Sequence, residues 1–248
     1  MYQLVQALPD DIEVYIVGGA IRNALVYDFH GEKWRQRDYD QIVTKNSSKY
    51  LAYLESRGFI PGAINDSDHR VMTKAVVENG REISYEDNLV FDIHLLDGSK
   101  AEDNLRYSTG LMINGSILNI RDIFSENWKQ RLITLPGAVE SIQNKQIYIN
   151  PDGYTSETNY FFALVRFIGM GFKQPPRDQI IKLFLTLKDI EPHRYQRNLT
   201  KLVEYLGSRD KVTQIVDNLN IDGGLDIFDE ESTRIFIKAL EEGTSNLH

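Results

Sequence analysis

A pair of glycines separates an extended segment from a helical segment near the start of this sequence and limits how the two can be joined. Residues 13–17 are rich in β-branched and aromatic side chains and predict a strand, whereas residues 20–27 are good helix formers. Gly18 and Gly19 join the two segments, so that backbone N–H groups and the helix N-terminus can approach an anion closely. Arg22 follows one helical turn later, where its guanidinium can pair with a phosphate. The sequence therefore predicts a phosphate-binding turn.

Two aspartates follow in the next predicted strand, residues 38–44. Because side chains along a strand alternate between its faces, Asp38 and Asp40 project to one side and Tyr39 projects to the other. Carboxylates at this spacing can converge on a pair of Mg²⁺ ions about 3.5 to 4 Å apart. Such pairs are also common on exposed strands and turns, so the prediction of a metal site depends on the neighbouring residues.

A third acid, Asp92, lies between two apolar residues in another predicted strand, residues 89–96. It has two interpretations, as a ligand of the same metals or as an acid paired with a neighbouring Lys or Arg. Three acids on adjacent strands, facing a glycine turn and an arginine, are the groups that metal-assisted nucleotidyl transfer requires. The metals bind the triphosphate and lower the pKa of the attacking hydroxyl. We therefore favour the metal ligand.

The order of these segments resembles the head domain of the class II nucleotidyltransferases, which comprise the CCA-adding tRNA nucleotidyltransferases and the bacterial poly(A) polymerases. VYIVGGAIRNAL and RDYDQIV are similar to the family's VGGxVRDxLL and to its D-x-D strand. Three later stretches also resemble family motifs and occur in the same order, so that the resemblance extends over residues 13–172. Ile113-Asn114 resembles the end of RRDxTINA, PGAVESIQNKQIYI resembles the joint G-x-x-D-L-x-x-K-x-I-R, and ALVRFIGMGF resembles the neck helix RAxRFAxxLGF.

The resemblance implies an α+β fold, with a polymerase-β-like nucleotidyltransferase head domain over residues 1–135. Apolar spacing becomes helical after Pro136-Gly137, and residues 136–248 are expected to form an all-helical neck and a short body domain. The implied catalytic and metal-binding residues are Asp38, Asp40 and Asp92. The implied nucleotide-binding residues are Gly18, Gly19, Arg22, Asn114, Glu157 and Tyr160.

The activity that the resemblance implies is Mg²⁺-dependent transfer of a nucleoside monophosphate from an NTP, ATP or CTP, to the 3′ hydroxyl of a tRNA-like RNA. The sequence departs from the family pattern at Asn23, where the family has Asp, and at residues 108–110, which replace Arg-Arg-Asp. The base-reading motif E-D-x-x-R falls on Ser156, Glu157 and Tyr160. Replacing Arg by Tyr exchanges a fork of donors for one hydroxyl and a stacking face. The selected NTP and the acceptor therefore stay open.

Two alternative functions remain. One is a compact nucleotidyltransferase of a toxin–antitoxin or phage-related kind that modifies a protein or a small molecule, which the altered base-reading residues and the acidic charge favour. The other is a non-catalytic RNA-binding descendant, which the altered motifs favour and the retained acids Asp38, Asp40 and Asp92 disfavour.

Composition excludes several other classes of protein. The chain contains no cysteine, which excludes disulfides, thiolate zinc sites, iron–sulfur clusters and cysteine nucleophiles. The net charge of −8 argues against a protein that coats long nucleic acid or binds duplex DNA, although the segment from Lys173 to Lys211 is locally basic. Neither a signal sequence nor a run of roughly 20 apolar residues is present, so we expect a cytoplasmic protein with no membrane partner.

The histidines, at positions 30, 69, 94, 193 and 248, show no metal-ligand spacing along the sequence, and no G-x-S-x-G motif accompanies them. Zinc hydrolases and serine hydrolases are therefore not expected. His94 lies two residues beyond Asp92, on the same strand face, from which it could reach the active site, although we expect it to be a hydrogen-bonded strand histidine.

Overall fold

The protein is described by a computed structural model that covers residues 1–34, 36, 38–65, 68–75, 77–78, 81–82, 89–153, 160–219 and 226–244. Helices and strands are both abundant, which confirms the predicted α+β class. The chain divides into two compact units, Met1–Gln143 and Asn144–His248. Within the described ranges, every helix is too short or too polar to span a bilayer.

The first unit contains a mixed sheet and helices. Its strands are β1 (Glu13–Val17), β2 (Tyr39–Lys45), β3 (Ile60–Asn65), β4 (His69–Lys74), β5 (Val77–Glu78), β6 (Arg81–Glu82), β7 (Leu89–Leu95), β8 (Ser116–Asn119) and β9 (Ile133–Thr134). Its α-helices are α1 (Tyr2–Gln6), α2 (Gly19–His30), α3 (Ser47–Ser56), α4 (Ala101–Ser108) and α5 (Ala138–Gln143).

Seven of these strands form one sheet in the order β3-β4-β7-β2-β1-β8-β9, and β5 pairs with β6 separately. Neighbouring strands in the seven-stranded sheet run antiparallel except for β2 and β7, which are parallel. The strands that carry the predicted acids, β2 and β7, are therefore adjacent at the centre of the sheet.

One face of this central pair is a closed core. Gln41 and Val43 of β2 and Phe91 and Ile93 of β7 are fully buried on it. Tyr50 of α3 is also fully buried, and its hydroxyl donates a 2.8 Å hydrogen bond to Oε1 of Gln41. Burial raises the pKa of the Tyr50 hydroxyl, so it stays protonated and remains a donor. Because side chains alternate along each strand, the opposite face carries the carboxylates of β2 and β7.

Replacing Tyr50 by Phe should lower the free energy of unfolding by about 1–3 kcal/mol, because the Gln41 oxygen would stay buried without its donor. Urea denaturation measures the difference. Tyr107→Phe is the matched control, since the Tyr107 side chain is 57% exposed and should change stability by less than about 0.5 kcal/mol. Equal stability of the two variants would contradict this account of the α3 face.

The described elements of the second unit are mainly helices, beside an isolated β-bridge between Gln146 and Lys173. Its α-helices are α6 (Tyr160–Gly169), α7 (Arg177–Leu185), α8 (Pro192–Leu206), α9 (Arg209–Asn218) and α10 (Glu230–Thr244). Phe161 and Phe184 are fully buried and meet edge to face, with ring centroids 5.1 Å apart. A Cβ on Gly169 would lie 3.0 Å from Cδ1 of Ile215 and still closer to Leu206, so this glycine permits close packing of α6 against α8 and α9.

Candidate functional site

The glycine turn between β1 and α2 approaches an acid of β2 closely. Gly18 has φ +63° and ψ −121°, a backbone conformation that favours glycine. Its carbonyl accepts a 3.1 Å hydrogen bond from the N–H of Arg22, at the start of α2. A Cβ on Gly18 would lie 3.3 Å from Oδ2 of Asp40. The predicted strand, turn and helix are confirmed, and the turn lies against the D-x-D segment.

The carboxylates of β2 and β7 are brought together by strand register. Asp40 and Asp92 are direct partners on the two parallel strands and share a face of the sheet. Tyr39 and Phe91 are partners on the other face, where their rings meet edge to face at 6.1 Å. Asp38 immediately precedes β2 and lies near enough to Asp40 to act on its charge. The structure therefore gathers all three predicted acids.

The pKa of Asp40 reflects the negative charge that the three acids share. Burial, followed by the charges of Asp38 and Asp92, raises the pKa of the Asp40 carboxyl to about 6. The Arg22 charge and a hydrogen bond from the Gly19 backbone oppose the increase but are outweighed. The cluster therefore holds concentrated negative charge on oxygen donors, which fits a hard divalent cation such as Mg²⁺.

Arg22 is oriented by neutral side chains. Its Nη1 donates to Oδ1 of Asn114 at 2.8 Å, and its Nη2 donates to Oδ1 of Asn23 at 2.9 Å. The guanidinium also lies 5.7 Å from the centre of the Trp34 ring. A carboxylate at position 23 would partly neutralise the guanidinium, whereas the amide of Asn23 orients it and leaves its charge intact.

The same network reaches the first acid. Nδ2 of Asn23 donates a 2.8 Å hydrogen bond to Oε1 of Gln36, and the amide of Gln36 donates to the backbone carbonyl of Asp38. Sequence reasoning identified neither Gln36 nor Trp34, because both lie in the segment between α2 and β2, where no periodic pattern indicates side-chain direction. This network connects the arginine of the glycine turn to the D-x-D segment.

Asp92 has a second neighbour that the sequence did not predict. Its Oδ1 is paired with Nε2 of His69, from β4. His69 and His94 are direct partners across β4 and β7, and their rings stack with centroids 4.9 Å apart.

Spacing along the chain gave no indication that these two histidines lie beside Asp92. One ligand atom from each of His69, Asp92 and His94 lies within 4.8 Å of the others, an arrangement that could hold a metal ion. Antiparallel pairing brought together residues from separate strands, which spacing along the chain does not reveal. His30 and His193 have other partners, the carbonyl of Ile142 and the carboxylate of Glu191.

Two predicted nucleotide-binding residues belong to the second unit. Glu157, together with the neighbouring Ser156, lies outside the described residues. Tyr160 is the first residue of α6 and is half-buried. Roles for these residues in selecting a base stay predictions.

Comparison with known proteins relates this geometry to a known fold. Neither a protein-family model nor a curated protein matches the chain. The fold is similar to that of the Thermotoga maritima CCA-adding enzyme in complex with tRNA, with a TM-score of 0.59 and 14% identity over 89% of this chain and 54% of that one. A CCA-adding enzyme in complex with CTP gives a TM-score of 0.55 and 17% identity over 82% of this chain and 46% of that one.

The chain thus spans about half the length of each of these enzymes. The likeness shows that this chain shares its fold with part of each of these enzymes.

Proposed function

We propose that the protein is a Mg²⁺-dependent nucleotidyltransferase that moves a nucleoside monophosphate from an NTP, ATP or CTP, to the 3′ hydroxyl of a tRNA-like RNA. The observation that carries the proposal is the pairing of Asp40 with Asp92 on adjacent parallel strands, beside Asp38 and the glycine turn. The similar folds belong to CCA-adding enzymes, one in complex with tRNA and one with CTP, which supports this class of reaction.

The acidic cluster would hold the metal ions. Asp38 and Asp40 are the proposed ligands, and Asp92 is the third acid. Bound Mg²⁺ would neutralise triphosphate charge and lower the pKa of the attacking hydroxyl. Without such a cation the cluster repels a triphosphate, because all three acids carry the same sign as the phosphates.

The glycine turn and Arg22 would bind the phosphates. Gly18 and Gly19 open the start of α2 to close approach, so that backbone N–H groups and the positive end of the helix face an anion. Arg22 adds a guanidinium already oriented by Asn23 and Asn114, which reduces the conformational entropy lost when it pairs with a phosphate oxygen.

Transfer is tested with α-labelled NTPs, Mg²⁺ and tRNA substrates with and without a 3′ CCA end. We expect wild-type protein to label RNA and Asp38→Ala to reduce labelling by about 10³-fold or more, since loss of a metal ligand removes several kcal/mol of transition-state stabilisation. Asp10→Ala is the control, because the Asp10 side chain is fully exposed. Equal labelling by wild type and Asp38→Ala would exclude Asp38 from the reaction.

A non-RNA acceptor is the second candidate, favoured by the net charge of −8 and by Tyr160 at the position of the family's base-reading Arg. Labelled NTP incubated with protein and whole lysate, followed by separate nuclease and protease digestion, distinguishes the acceptors. Label that survives nuclease and is removed by protease would identify a protein acceptor. Binding of NTP and Mg²⁺ without transfer to any acceptor would instead support the non-catalytic descendant.

Replacing Arg22 by Lys should weaken binding of NTP with Mg²⁺ by roughly 10- to 100-fold. The charge remains, but the planar fork and its hydrogen bonds to Asn23 and Asn114 are lost. Calorimetric titration gives the affinity. Arg131→Lys, which changes a half-exposed arginine paired with Asp122, should bind as wild type does. Unchanged affinity in Arg22→Lys would remove this residue from the phosphate site.

A further inference from the structure

We propose that His69, Asp92 and His94 form a binding site for a borderline divalent transition-metal cation, with Zn²⁺ as the probe. The site lies on the same face of the sheet as Asp40 and shares Asp92 with the acidic cluster. It does not depend on nucleotide transfer, because neither histidine has a part in that proposal.

Strand register builds the site on a rigid part of the sheet. His69 of β4 and His94 of β7 are direct antiparallel partners, and Asp92 is two residues before His94, so that all three side chains lie on one face. The ring planes of the two histidines are 20° from parallel. The three side chains therefore converge without any change in the backbone.

The ligand atoms are already close to a coordinating arrangement. One ligand atom from each of the three side chains lies within 4.8 Å of the other two. Ligand atoms about 2.1 Å from one tetrahedral ion are separated by about 3.4 Å. Small side-chain rotations are therefore enough to bring the three ligand atoms around one ion.

The donor set determines the kind of cation. Two imidazole nitrogens and one carboxylate oxygen suit Zn²⁺ and related transition metals, whereas Mg²⁺ prefers oxygen donors only. This site would therefore bind a different metal from the one proposed for Asp38 and Asp40.

Solvent can reach the site. The side chains of His69 and Asp92 are 21% and 32% exposed, and His94 is exposed. An ion can therefore enter from water and keep one open coordination position. Because Asp92 belongs to both groups, an ion bound by the histidines would place positive charge beside Asp40. Transition-metal binding is thereby expected to influence the neighbouring acidic cluster.

The test uses the full chain after metal removal with a chelator. Competition with a chromophoric chelator should show one Zn²⁺ bound per chain in the presence of excess Mg²⁺. His69→Gln and His94→Gln should each weaken Zn²⁺ binding by about tenfold or more, because even loss of a group that only supports a ligand costs about 10- to 100-fold in metal affinity. His193→Gln, at an exposed histidine paired with Glu191, is the matched control and should bind Zn²⁺ as wild type does.

Co²⁺ provides a second readout, because its visible absorption spectrum reports imidazole coordination. We expect absorption bands in wild type that disappear in the double variant His69→Gln/His94→Gln, with circular dichroism confirming that the variant is folded. The proposal is overturned if the double variant binds Zn²⁺ as tightly as wild type, or if Mg²⁺ displaces the Zn²⁺. It is also overturned if the wild type shows no Zn²⁺ binding, which would leave a hydrogen-bonded cluster only. Binding of NTP with Mg²⁺ is measured separately, so that failure of this site and failure of the proposed function are distinguishable.

Discussion

Asp40→Asn should abolish nucleotide transfer and, at the same time, stabilise the metal-free fold. The substitution removes a proposed metal ligand, and we expect a loss of about 10³-fold or more in rate. The folded state raises the pKa of Asp40 from 3.8 to about 6, so between these values the folded protein binds more protons than the unfolded chain does. Wild-type stability therefore falls as the pH rises through this interval, by roughly 1–3 kcal/mol.

Asparagine carries no charge, so the variant avoids this destabilisation. Urea denaturation in EDTA should show Asp40→Asn more stable than wild type at about pH 8, with the difference disappearing near pH 4, where Asp40 is protonated. Asp10→Asn, at a fully exposed side chain, should alter neither stability nor transfer. Lower stability of Asp40→Asn at about pH 8, or retained transfer, would contradict the electrostatic account of the acidic cluster.

Gly18→Ala should have the second largest effect. Alanine would be strained at φ +63° and ψ −121°, by about 1–3 kcal/mol, and its Cβ would lie 3.3 Å from Oδ2 of Asp40. Relief of this contact alone requires a shift of a few tenths of an ångström, and relief of the strained backbone moves the turn further relative to the carboxylate. A displacement of about 1 Å at a reacting site can cost on the order of 100-fold in rate, which is the loss we expect.

Gly31→Ala is the matched control for this substitution. Gly31 also has a positive φ, +69°, but a Cβ there would have no neighbour within 4 Å. Denaturation should show lower stability in both variants, whereas transfer assays should show a loss only in Gly18→Ala. Equal losses of transfer would mean that backbone strain, rather than the contact with Asp40, accounts for the effect.

Local patterns predicted the elements on which the site is built. The predicted strand at residues 13–17, the glycine turn and the following helix are confirmed, and β2 and β7 differ from their predicted ranges by a single residue at their ends. Strand β3 was missed, because Pro61 and Gly62 disfavour a strand. It lies at an edge of the sheet, where proline is tolerated.

The site was predictable only in part, because strand pairing is a tertiary property. Alternation along β2 predicted that Asp38 and Asp40 share a side, and the family resemblance suggested that Asp92 joins them. The parallel register of β2 with β7 and the antiparallel register of β4 with β7 have no local signal. The proximity of His69 to Asp92 was missed for the same reason.

Crystals of the full chain grown with Mn²⁺ and a non-hydrolysable NTP would locate both partners of the acidic cluster and the glycine turn, because anomalous scattering identifies the metal and electron density identifies the phosphates. We expect Mn²⁺ coordinated by the carboxylates of Asp38 and Asp40, with the triphosphate against the Gly18-Gly19 turn and Arg22. Nucleotide bound elsewhere, or Mn²⁺ remote from both carboxylates, would contradict it.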